Sequence, residues 1–128
     1  MTPIYAKLAH VFVRQSHFES TVAPYAAPKD LKWGISIKKE IQKGISDNSH
    51  AVRMTVEGVA KSGAEPVVHA AVCVEGVIQS EGIPEDELDA LLESYYPNHL
   101  MGYARQQLTT LTCMSGFPAL VLPPLTKN

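Results

Sequence analysis

The chain lacks most of what announces a function. Eleven basic residues against thirteen acidic ones leave a net charge of −2, without the broad basic footprint of a nucleic-acid binder. That balance also gives no hold on an anionic membrane surface, and no apolar run approaches the roughly 20 residues that span a bilayer. The opening "MTPIYAKLAHVFVRQS" has no basic start, apolar block and small-residue cleavage site, so no signal peptide is expected. Cysteine is scarce: Cys73 and Cys113 alone predict free thiols in a reducing cytoplasm rather than a disulfide. With 128 residues, 45% of them hydrophobic and 19% charged, the chain is sized for one globular domain, 1–128. There is no internal repeat and no low-complexity tract.

Catalytic and metal motifs are missing as well. The five histidines show neither HExxH nor any CxxC partner. His17 and Glu19 share a strand face, but two residues do not make a site, and no metal or other cofactor is expected. Cys73 has no foreseeable His or Lys partner to lower its pKa, which predicts an inert thiol. "VEGVIQSEG" has glycines without the spacing of a phosphate loop or serine elbow, and "EDELDALLE" reads as the solvated, dipole-stabilised start of a helix. No enzyme is predicted.

Alternation is what the sequence does have. "WGISIKKEIQ" puts Ile35, Ile37 and Ile41 on one face against Ser36, Lys38, Glu40 and Gln42. "AVRMTVEGVAK" sets Val52, Met54 and Val56 against Arg53, Thr55 and Glu57, and "VVHAAVCVEGVIQ" sets Val68, Ala70, Val72, Val74 and Ile78 against His69, Cys73 and Glu75. Such patterning predicts an antiparallel sheet with one wetted side. "YAKLAHVFVRQ" is apolar on both parities, which predicts a strand covered on both faces. "KGISDNSH" and "KSGAEP" supply turns between neighbours, while residues 16–32, with Pro24 and Pro28, suit a long crossover after the first strand.

Beyond the sheet the period changes. Pro84 and three acids open a short helix, and a longer one is predicted from Pro97 to about Met114, with Gly116 as its cap. Leu100, Ala104, Leu108 and Leu111 form its stripe, flanked by Tyr103, Gln107, Thr110 and Met114. The fold class is therefore α+β, a four-stranded antiparallel sheet with both helices on one face. Phe18, Tyr25 and Trp33 in and beside the crossover, and Leu120, Val121, Leu122 and Leu125 near the end, exceed what so small a domain covers easily. They form either a satellite core under the crossover or a groove for extended apolar polypeptide.

The stretch "YYPNHLMGYARQQLTTLTCMSGFPALVLPP" resembles the signature of the SecB family of protein-export chaperones. Tyr95, Pro97 and Asn98 match its helix start, Tyr103, Ala104 and Arg105 its Tyr-Ala-Arg, and Gly116, Phe117 and Pro118 its helix end. "EGVIQSEGI" is similar to the link that leaves the family's fourth strand, with Gly82 and Ile83 in place and Ile78 where a phenylalanine is usual. "HFES" is similar to its entry into the crossover. The resemblance covers nearly the whole chain from about Val11.

It implies an ATP-independent holdase for unfolded precursors, forming homodimers or homotetramers and delivering clients to SecA. The groove would use Phe18, Tyr25, Trp33, Ile78, Leu120 and Leu122, and the oligomer interface Leu100, Tyr103, Ala104, Gln107, Leu108 and Leu111. Three departures stand out: the sequence stops at Asn128, before the family's second helix and acidic tail; Lys38 and Lys39 occupy a strand where the family presents acids to SecA; and Ile78 replaces the link phenylalanine. The alternative readings are a chaperone of one dedicated client, such as an antitoxin, or an assembly protein that keeps the fold without general client binding.

Overall fold

The computed structural model describes residues 4–114. Four long strands form one antiparallel sheet: β1 (Tyr5–Ser20), β2 (Lys32–Ser46), β3 (Ser49–Ser62) and β4 (Glu65–Glu81), in the order β1-β4-β3-β2. Two tight hairpins join β2 to β3 and β3 to β4, turning on Asn48 and Gly63, both at positive φ. Residues 21–31 carry the chain from one edge of the sheet to the other, with a single 3₁₀ turn at Pro24–Ala26. The architecture is the one the alternation predicts.

The first strand needs a correction. β1 lies at an edge of the sheet, not covered on both faces, and most of its large apolar residues, although of both parities, belong to one face. Two bulges explain this. Leu8 pairs with Ile78 but His10 with Val77, and Val13 pairs with Val74 but Gln15 with Cys73. Each extra residue, Ala9 and then Arg14, reverses the parity of the strand beyond it. Leu8, Val11, Val13 and Phe18 therefore stand beside the inward residues of β4, while His10, Phe12, His17 and Glu19 turn to the open face.

Two helices come after β4. Gly82, at φ 73°, turns the chain off the sheet, and α1 (Glu85–Ala90) starts with three acids. The first of them, Glu85, joins Asp89 one turn on in holding Lys43 of β2. α1 runs through a π-turn (Leu91–Tyr95) into α2 (Tyr96–Met114). Pro97 has no amide hydrogen, so the carbonyl of Glu93 loses its usual donor one turn ahead. Lys39 supplies the replacement, its Nζ donating at 2.8 Å to that carbonyl and lying 3.2 Å from the Glu93 carboxylate. Lys39 thus faces the helices, and of this pair Lys38 alone sits on the open side of β2, 3.7 Å from Glu40.

α2 lies across β4, β3 and β1. Its Leu100, Met101, Ala104 and Leu108 are buried against Val52, Val56, Val72, Val74 and Ile78. Gly76 permits this close docking. A Cβ there would stand 2.9 Å from Leu8 Cδ1 and 3.0 Å from Leu100 Cδ2, nearer than carbon atoms pack. No helix among the described residues is long and apolar enough to cross a membrane.

Candidate functional site

At the far end of the sheet from α1, the crossover is pinned from both sides. The Thr21 amide donates to the Val67 carbonyl at 2.9 Å, and Ser62 Oγ donates to Asp30 at 2.8 Å. Between these ties Val22, Ala27 and Leu31 pack with Phe18 and Trp33 on Ala60, Val67 and Val68. Phe18 and Trp33 flank this cluster from the two edge strands: Phe18 pairs with Ala70 of β4, and Trp33 with Ala60 of β3, itself the partner of Val68. Both remain half-buried. Tyr25, on the 3₁₀ turn, is 94% exposed.

From Trp33 the inward face of β2 continues through Ile35 and Ile37, which are 41% and 44% exposed. α2 covers the other three strands, and no described element closes over these two side chains. The result is an apolar strip, Phe18–Trp33–Ile35–Ile37, that starts under the crossover and runs along an edge strand whose outer backbone groups have no strand partner among the described residues. Aliphatic and indole surface supplies affinity without sequence preference, and a free strand edge supplies hydrogen bonds to an extended chain.

The residues predicted for the groove are only partly assembled here. Phe18 and Trp33 lie on the strip, and Tyr25 stands exposed on the crossover beside it. Ile78 does not: it is completely buried in the main core, eight residues along β4 from the Ala70–Phe18 pair, about 26 Å away. Leu120 and Leu122, like the Gly116 cap, lie outside the described residues. Alternation identifies the face of Ile35 and Ile37 correctly, as the side toward the helices. It carries no information on how far a helix reaches across that face.

The residues predicted for an oligomer interface divide in the same way. Leu100, Ala104 and Leu108 are buried against the chain's own sheet and have no surface left to offer a partner. Leu111 is half-buried against the same core, and Tyr103 and Gln107 are exposed. A feature not anticipated lies on the outward side of the helical segment. Tyr95, His99 and Tyr103, one turn apart, form a ladder, the first pair stacked with ring centroids 6.4 Å apart and the second edge-to-face at 5.8 Å. Tyr95 is 57% exposed and Tyr103 43%. Four-residue spacing of rings was the available signal.

On the open face Arg14 and Arg53 donate to one oxygen of Glu75, at 2.9 and 2.6 Å. Burial pushes the Glu75 carboxyl up, but the hydrogen bonds and charges of the two arginines outweigh it and hold it below its ordinary value. Cys73 is buried between Gln15 and Thr55, and Cys113 is exposed; both are free thiols. Near the β2–β3 hairpin the Gly44 amide donates to His50 Nδ1 at 3.0 Å, which leaves Nε2–H for Ser80 Oγ at 3.2 Å. Burial, then the charge of Lys43, lowers the pKa of His50.

Known proteins share this framework. A SecB protein-export protein of Nitrosococcus oceani is 29% identical over 119 residues, covering 90% of this chain and 72% of that protein. Those of Methylococcus capsulatus and Pseudomonas fluorescens are each 30% identical, over 122 and 121 residues, and each is 75% covered. Among solved structures, a SecB-like chaperone of Mycobacterium tuberculosis, in complex with an antitoxin peptide, superposes with a TM-score of 0.79 at 18% identity, over 96% of this chain and 92% of that one. At that identity the superposition shows the shared fold. The family model described as preprotein translocase subunit SecB matches residues 3–126, and the chain belongs to the SecB family.

Proposed function

We propose that this protein is a holdase for unfolded or extended apolar polypeptide, acting without ATP. The observation that carries the reading is the uncovered Trp33–Ile35–Ile37 strip beside the pinned crossover. A client segment laid along β2 would bury its own apolar side chains on the strip while its backbone meets the strand edge. Holding of this kind needs no covalent chemistry and no cofactor. The names of the relatives favour export precursors as clients, met in the cytoplasm before they reach a membrane. Delivery to SecA is left out of the reading, because the open side of β2 carries Lys38 where the family presents acids.

Self-association belongs to the same proposal. The Tyr95–His99–Tyr103 ladder, with Gln107 beyond it, offers a second copy an exposed aromatic surface on the side of α2 away from its sheet. Tyrosine suits such a surface because it brings area at small entropic cost.

A dedicated client is the second reading, favoured by the antitoxin peptide held by the mycobacterial neighbour. One experiment separates the two. Trp33 is the only tryptophan, and its emission shifts to the blue when a bound chain displaces water from the indole. General holding predicts that shift with several unrelated unfolded polypeptides, together with suppression of their aggregation and a weaker response in Ile37→Glu at an unchanged melting temperature. Indifference to every unfolded chain combined with a response to one specific polypeptide would establish the dedicated reading.

A further inference from the structure

The open face of the sheet holds a cluster that serves neither the core nor the strip. His17 and Glu19 lie two apart on β1 and so point to one side. Glu19 pairs in register with His69 of β4, which brings a second imidazole opposite them. The two rings lie 5.1 Å apart between centroids. One donor atom from each of His17, Glu19 and His69 lies within 4.8 Å of the other two. Glu57 of β3 places a carboxylate oxygen 3.0 Å from His69 Nε2.

We propose that His17, Glu19 and His69 form a site for a divalent transition metal of the zinc class, with Glu57 supporting His69. The donor set selects the metal. Two neutral imidazoles and one carboxylate suit zinc, cobalt, nickel or copper, whereas calcium and magnesium require a shell of oxygens. Zinc bonds of about 2.0–2.1 Å put tetrahedral donors about 3.4 Å apart, so the present spacing has to close by roughly 1.4 Å at most. Rotation about side-chain bonds supplies that at half-buried histidines and an exposed glutamate. A carboxylate on a liganding imidazole orients the ring and raises its basicity, which is the part Glu57 plays. Three protein donors leave a fourth position to water.

The placement gives the ion work to do. It ties the end of an edge strand to a central one, just before the chain departs into the crossover. Phe18 stands between His17 and Glu19 in sequence and projects to the opposite side of the sheet, into the apolar strip. An occupied site therefore stiffens the stretch of β1 on which one end of that strip is mounted, although the proposal does not depend on what the strip binds.

Calorimetric titration of the full, tag-free chain with zinc chloride tests the site, alongside the absorption of the cobalt form, whose intensity reports four-coordination. The expected result is one ion per chain, no binding of magnesium or calcium, and a rise in melting temperature with zinc. His17→Gln and His69→Gln should each weaken zinc by at least about tenfold, and Glu57→Gln by about tenfold. His10→Gln, on the same face of β1 but outside the cluster, should titrate as the wild type does. Metal-free melting temperatures within a degree or so of one another would show that the variants fold. A wild-type chain that takes up no zinc overturns the proposal. So does uptake that survives both histidine substitutions, or uptake of one ion per two chains.

Discussion

Glu75 shows how a single buried carboxylate can be made to depend on pH. Its folded pKa lies below the unfolded value of about 4.3, so its contribution to stability is complete above that value and drains away as pH falls through the folded one. Glu75→Gln should therefore melt lower than wild type at pH 7. The gap should narrow as pH falls below the unfolded value and through the folded one, where the wild-type carboxylate also loses its charge. Parallel melting curves across pH 3–7 for the two proteins decide it. Paired residues of this kind were only half legible in the sequence. Alternation placed His69, Cys73 and Glu75 together on a wetted face, and His17 beside Glu19. Bringing Arg14 onto Glu75, or His69 opposite Glu19, required the strand order and the bulge at Arg14, and neither is written in local periodicity.

Among the elements, the helical segment was the most readable and its break the least. The acids after Pro84 and the Leu100–Leu108 spacing identify two helices, but nothing in that pattern says that they join through a π-turn. Just after that turn Pro97 leaves the Glu93 carbonyl without its usual donor, and the replacement comes from 54 residues before Glu93, where Lys39 caps it. This contact lies near the surface, so Lys39→Ala should cost at most about 1 kcal/mol. In a Pro97→Ala background the amide can return to the carbonyl, and the same lysine substitution should then cost less. A double-mutant cycle read by denaturant unfolding measures the coupling, and strict additivity would mean that Lys39 does not compensate for the proline. The lysine also explains itself: in a strand of alternating polarity it occupies an inward position because a helix end there needs a donor.

For the molecule as a whole, the proposed function asks the same helix to do two things, and its two sides should fail differently. Leu108→Asp puts a charge in a fully buried position of the chain's own core, and the expected outcome is several kcal/mol of lost stability and unfolding. Tyr103→Glu alters the exposed ladder, and if copies associate there as proposed, the expected outcome is a folded protein of lower mass in light scattering than the wild type. A Tyr103→Glu protein with unchanged mass would move the contact between copies elsewhere. The overall architecture was readable from the sequence because each strand is long and each turn carries its own signal. The apolar strip was not, because exposure is a property of what else reaches a surface. The reach of α2 across the sheet is set by packing at Gly76 and Leu100 rather than by any residue of β2.

The two bulges of β1 carry a consequence for how this strand tolerates the loss of a residue. Ala9 is the surplus member of its bulge, so its deletion lets Leu8 keep Ile78 and His10 keep Val77, with every side chain on its present face. Deleting Phe12, three positions on, leaves the chain the same length as the Ala9 deletion. Yet the bulge can then be absorbed only by turning His10 inward and Val11 outward, a polar ring into the core and an aliphatic side chain into water. Single-residue deletions along β1 should accordingly show a narrow notch of tolerance at Ala9, and a shallower one at Arg14 because its bond to Glu75 goes with it. The strand carries two points of slack at which natural variants of different length can differ by one residue and still present the same surface.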